Sequence, residues 1–304
     1  MSTSSTSSGT KQDDVPLHHL GKYMLPTVYR SGTTKSDFTK TDIARWTLIF
    51  SCLHFNEYER LVLRTLCHFF RAVLAGPTGM YTIFPHPKHP SLDSLTTRLN
   101  EMARDGKNVP LSLFIANGVH EGPDGYIVIN IPISIIGESR ERCIVMGGLE
   151  MNGEEEDDVN VSNLTLRDSK GYGVCGDDGA SIHLDNVSVE NSGWSGVSTV
   201  FGTKRNTMQN CNVSHSKESG LVVVGDGLMT IDGKDTTIHH NCTNGSCGSY
   251  GLNTWDSSSS IHFASSLTIE TISKNNGGGG NYGGKGTIAV VDNEGTIIET
   301  IQEA

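Results

Sequence analysis

Between residues 162 and 221 apolar and polar positions alternate in short bursts that stop at turns and then restart. DNVSVENSGWSGV (185–197) places Val187 and Val189 on one side of a strand and Ser188 and Glu190 on the other. Asn191-Ser192-Gly193 then reads as a turn, and a second apolar step follows Gly196. SNLTLRDSKGYGV (162–174) and QNCNVSHSKESGL (209–221) repeat the unit. Asn163, Asn186 and Asn210 lie 23 and 24 residues apart, and Gly173, Gly196 and Gly220 each follow ten residues later. A fixed period of this size marks a repeat whose units bury their apolar faces only by stacking. No 3.6-residue period runs through these copies, so helical hairpins are excluded. The spacing predicts coils of a parallel β-helix with rungs about 4.8 Å apart. It predicts a ladder of asparagine side chains at one turn and a column of glycines supplying unusual backbone angles at a corner. Leu164, Leu166, Val187, Val189, Cys211 and Val213 fall at matching inward places.

The rest of the chain divides by pattern. Residues 1–37 are polar and Ser/Thr-rich at their start, and read as a disordered tail. A helical module spans 38–78. Trp46, Ile49, Phe50 and Leu53 recur at helical spacing, as do Leu61, Leu66, Phe70 and Val73. Asn56 is placed to cap the second helix, and Ala75-Gly76-Pro77 to stop it. Pro85, Pro87 and Pro90 mark a linker over 79–90. The β-helix would occupy 91–304 in about eight coils, behind a helix capped by Ser91, striped by Leu92, Leu95 and Leu99 and ended by Gly106. Asn241 and Gly251 repeat the ten-residue offset, which implies an inserted loop at 225–235. His239 and His262, 23 residues apart, would then stack on neighbouring rungs. The glycine-rich 275–286 reads as a flexible loop, and 287–301 as a last coil or hairpin turning at Asn293-Glu294-Gly295.

Two resemblances follow. IFSCL and LVLRTLCHFFRAVL resemble the F-box motif through Ile49, Phe50, Leu53, Leu61, Leu66, Cys67, Phe70 and Arg71, although Asp42-Ile43 stands where that motif has Leu-Pro. A helical cap on the β-helix would carry the same pattern. VPLSLFIANGVHEG and GYIVINIPISIIGES resemble the first coils of pectin-lyase-like right-handed β-helices, at Leu113, Ile115, Gly118, Val119, Ile127, Ile129, Ile131, Ile133, Ile135, Ile136 and Gly137. Together these imply a mainly β fold: a right-handed parallel β-helix (solenoid) preceded by a small α-helical module.

Composition narrows the function. Among 304 residues, a formal net charge of −11 argues against nucleic acid as a partner. No apolar run approaches the roughly 20 residues of a membrane span, and no secretory signal opens the chain. Seven cysteines without a CxxC pair read as reduced thiols in a cytoplasmic or nuclear protein.

Candidate chemistry is sparse. Tyr172-Gly173 followed by Asp177-Asp178 resembles the Tyr-Gly-x-Asp-Pro-His-Asp signature of alginate C5-epimerases, but Cys175-Gly176 replace Asp-Pro and no Pro-His follows. His239 and His262, with His183 in a similar Ser-Ile-His context, would offer a base or a metal face. The acid run at 154–158 lacks the alternate spacing of a Ca²⁺ loop. Trp194 and Trp255, on predicted turns, would stack on a sugar ring. No cofactor or metal is expected. The expected function is an intracellular binding or adaptor protein. Ile49, Phe50 and Leu53 would dock a Skp-type adaptor of a cullin-RING ubiquitin ligase, and the β-helix would hold a protein or glycan target. The alternative is a polysaccharide lyase or epimerase on the same scaffold.

Overall fold

Alternation with regular turns folds into three parallel faces. In the computed structural model the residues described are 81–154, 157–177, 179–200 and 205–302. The tail, the helical module and the first residues of the linker lie outside them. The described residues form a parallel β-solenoid of about 7 turns, against about eight expected.

The first face stacks nine parallel strands from Tyr81–Phe84 to Thr287–Val291, each paired in register with the next. The second face carries Thr165–Arg167, Ser188–Glu190, Asn212–Ser214 and Thr237–His239. The third carries Val174–Asp177, Val197–Thr199, Leu221–Val223 and Leu252–Thr254. Longer strands, Gly118–Ile129 and Cys143–Asn152, bend across both of these faces at the start of the stack.

The core is the inside of the stack. Leu164, Leu166, Val187, Val189, Cys211 and Val213 are all buried at 0–1% exposure, so the inward assignment holds. Helix α1 (Leu92–Arg104) begins as expected: Ser91 and Ser94 form a capping box, and Leu92, Leu95 and Leu99 are buried. Gly106 follows at φ 68°. The helix lies against the Gly118–Ile129 strand, where Asn100 Nδ2 donates to the Val128 carbonyl. It thereby covers the edge that an open stack would expose.

The two repeat columns have distinct causes. Asn163, Asn186 and Asn210 adopt φ of 56°, 53° and 52°, the left-handed region that asparagine tolerates better than most residues. Asn186 Nδ2 donates to Asn163 Oδ1 at 2.9 Å, so the ladder is bonded across the first two of these rungs. The glycines were expected to supply unusual angles. Gly173, Gly196 and Gly220 instead supply closeness. A Cβ on Gly196 would sit 2.3 Å from Val213 Cγ1 and 2.7 Å from the Gly220 carbonyl, and the other two glycines face the same wall one rung away.

Several expectations are corrected. Tyr81–Phe84, read as linker, is the first strand: Phe84 points inward and is buried. Residues 225–235 are no inserted loop, since Leu228–Asp232 is a first-face strand. The insertion lies at the second corner instead. Val213 precedes Leu221 by eight residues, whereas their register partners Ile238 and Leu252 stand fourteen apart. Asn241 therefore matches Ser216 and not Asn210. The stretch 275–286 is structured too: Tyr282–Gly284 adds a third-face strand, and Gly279 and Gly283 lie so close to Tyr250 that a Cβ on either would meet its ring at 2.3 Å. The last hairpin forms as expected, with Ile297–Gln302 antiparallel to Thr287–Val291 and Gly295 at φ 80°.

Candidate functional site

The expected site residues scatter over the solenoid. Ile49, Phe50, Leu53 and Asp178 lie outside the described residues. His239 and His262 do not stack. His239 is on the second face, in register with Ser214 and Lys274, and His262 is on the first, in register with Thr230 and Ala289. Their 23-residue separation matches the period only by coincidence, because the rungs between them carry extra residues. Asp177 ends a third-face strand opposite Asn152. Tyr172 and Trp194 do meet, on successive rungs of the second corner, with ring centroids 5.0 Å apart at 78°. Trp194 is 49% exposed and Trp255 54%, but Trp255 follows the third face, two rungs further on and at its opposite edge. The two indoles therefore cannot share one sugar ring.

The first face builds a site that the sequence did not assemble. Parallel register places Ser134, Asn160, His183 and Thr207 in one outward column and Ile136, Ser162, Asp185 and Gln209 in the next. Together they line a shallow groove of about 450 Å³. Four rungs carry its polar column over about 14 Å. His183 Nδ1 lies 2.9 Å from Thr207 Oγ1 and its Nε2 3.2 Å from Asp158 Oδ1. Arg205 holds the same carboxylate at 3.1 Å. Hydroxyl, imidazole and carboxylate stand in a row, so the imidazole can take a hydroxyl proton while the carboxylate fixes the ring. In the sequence Asp158 is the end of an acid run. Asp158 is in register with Ser181 and reaches His183 diagonally, one rung back and two residues along the strand, where both side chains face outward.

A second cluster occupies the corner between the second and third faces. Asp168, Asn191, His215, His240 and Asn275 succeed one another there, all with φ between 54° and 60°. The His215 and His240 rings stack with centroids 5.6 Å apart and an interplanar angle of 6°. His239 Nδ1 is 2.7 Å from His240 Nδ1. Burial lowers the His239 pKa first, followed by repulsion from His240, His215 and Lys274. Burial alone lowers that of His262. Beside the cluster lies a cavity of about 430 Å³, lined by His215, His240, Cys242 and Thr243 among others. Among the described residues no group of three or more His, Cys, Asp or Glu side chains converges as a metal cage. No described helix is long and apolar enough to cross a membrane. No described cysteine is in a disulfide.

No family model matches the chain, and no curated protein matches it either.

Proposed function

We propose that this is a binding and adaptor protein, with the first face of the solenoid as its ligand surface. The observation that carries the reading is the groove along Ser134, Asn160, His183 and Thr207. Its hydroxyl, amide and imidazole groups repeat at the rung spacing, which suits an extended ligand rich in hydroxyls, such as a glycan chain. Residues 38–78 would act as the F-box-like recruiter, with Ile49, Phe50 and Leu53 meeting a Skp-type adaptor. Support for that half is the helical spacing of these residues alone. Two measurements test the reading. The full chain should bind immobilised oligosaccharides, and Asn160→Ala with Thr207→Ala should abolish binding without unfolding. Wild-type protein should co-precipitate a Skp-type adaptor, and Phe50→Ala with Leu53→Ala should not. Oligosaccharide binding unaffected by the groove variant removes the first half, and no adaptor with wild type removes the second.

One observation favours an enzymatic reading, the Asp158–His183–Thr207 row. An epimerase or lyase would use His183 as its base. Turnover of a uronate polymer, lost in His183→Asn, would establish it, and its absence across such polymers would leave the groove to binding.

A further inference from the structure

Both ring nitrogens of His183 have partners, and the partners fix where its proton sits. Asp158 Oδ1 lies 3.2 Å from Nε2, and a carboxylate only accepts, so Nε2 carries the hydrogen. Nδ1 is then the lone pair, and Thr207 Oγ1 donates to it at 2.9 Å. A lyase or epimerase base needs that lone pair free for a C–H bond of its substrate. Here the imidazole meets a hydroxyl of its own chain first, and the proton within its reach is that of Thr207.

The surroundings suit an activated hydroxyl. Thr207 stands in register with His183 on the next rung, about 4.8 Å along the stack, and lines the groove half-buried. Its β-branched side chain is stiff at χ1, which holds the hydroxyl in one direction. Arg205, two residues back along the chain, lies 3.1 Å from Asp158 Oδ1 and steadies the carboxylate. Gln209, two residues on, and Thr230, in register on the following rung, stand beside Thr207 as amide and hydroxyl donors for a carbonyl oxygen. Asp158 and Asp185 outweigh the single cation Arg205 around the row, which disfavours an anionic substrate.

We propose that Thr207 is the nucleophile of an ester hydrolase, with His183 as its base and Asp158 as the positioning residue that orients the base. The substrate is a neutral carboxylic ester, a small acyl group on a hydroxyl of a glycan chain; this rests on the first face being the ligand surface. Thr207 Oγ1 bonds to the ester carbonyl carbon while its proton passes to His183 Nδ1. The bond from that carbon to the alcohol oxygen then breaks, and the alcohol leaves with the proton from Nδ1. Water attacks the acylated Thr207 by the same route, its proton taken by His183 and returned to the Thr207 oxygen as it leaves. Ester and water give alcohol and carboxylic acid, with no change of oxidation state.

The full chain should be tested with 4-nitrophenyl acetate and, separately, with a fluorophosphonate that labels activated hydroxyls. Wild type should release nitrophenolate with saturation, and peptide mapping should find the phosphonyl adduct on Thr207. Thr207→Val, close in shape and checked for an unchanged urea midpoint, should lose both. Thr207→Ser should keep both. His183→Asn should lose about a hundredfold or more in turnover, and Asp158→Asn should lower kcat more than it changes KM. His239→Asn, on another face, should match wild type, which excludes general catalysis by surface imidazole. Turnover unchanged in Thr207→Val overturns the nucleophile. Oligosaccharide binding with neither adduct nor turnover overturns it too and leaves the binding reading intact, whereas adduct and turnover without oligosaccharide binding support the nucleophile and remove that reading.

Discussion

Gly196→Ala tests the account of the glycine column. Its φ is outside the left-handed region, so alanine meets no backbone objection there. The added methyl would lie 2.3 Å from Val213 Cγ1, 2.7 Å from the Gly220 carbonyl and 2.9 Å from Ser216 Oγ. Val213 is fully buried and the carbonyl belongs to the next rung, whose backbone accepts the bond from Val197 N. Neither can retreat without breaking the ladder. Overpacking of this kind costs about 1–3 kcal/mol or somewhat more. Stiffening the unfolded chain returns about 0.4–1 kcal/mol. The net expectation is a loss of about 2 kcal/mol. With a urea slope near 3 kcal/mol/M, the midpoint should fall by about 0.7 M. Gly125→Ala is the control, since nothing lies within 4 Å of its Cβ position and its φ is ordinary. It should be neutral or slightly stabilising. A midpoint for Gly196→Ala at or above wild type, or an equal fall in both variants, would refute the close-approach reasoning.

Further outcomes are expected. Val189→Asp buries an unpaired carboxylate in the stack and should cost several kcal/mol; an unchanged urea midpoint would show that the inward face is misassigned. Among the described cysteines, only Cys247 is exposed, while burial pushes the thiols of Cys143, Cys211 and Cys242 up to about 11 and that of Cys175 up to about 12. A disulfide reagent at pH 8 should therefore label Cys247 before the other four described cysteines, as peptide mapping by mass spectrometry would show, and equal labelling of Cys175 would contradict the burial. His262, lowered by burial, takes up a proton less readily folded than unfolded. Its contribution leaves stability unaffected above the unfolded value of about 6.5 and erodes it as pH falls from there toward the lower folded value. His262→Asn should flatten that decline in urea midpoints between pH 7.5 and 5.5, and an identical slope would count against it.

Sequence periodicity was a good guide where a rung is uninterrupted. From Asn163 to Leu221 six inward residues around the second face, the asparagine turn and the glycine column were legible, because like residues recur for one physical need. The second corner was not. Asp168, Asn191, His215, His240 and Asn275 satisfy the same left-handed backbone with three residue types, so no single-letter column betrays them. Period matching failed where the insertion at the second corner shifts the count, which is how His239 and His262 came to look stacked. The first-face site was hidden for another reason. Asp158, His183 and Thr207 belong to three rungs, and each is unremarkable within its own strand. Only register joins them.

A solenoid rung offers its successor the same row of amides and carbonyls that its predecessor offered it. Nothing within a parallel rung specifies how many shall follow, and in that respect each face is a short filament. Ile297–Gln302 runs the opposite way along the first face. A newcomer arriving in the parallel sense finds the wrong hydrogen-bond phase on that edge. Reversal of a single strand therefore acts as a stop codon written in geometry, which ends templated growth of that sheet at one molecule.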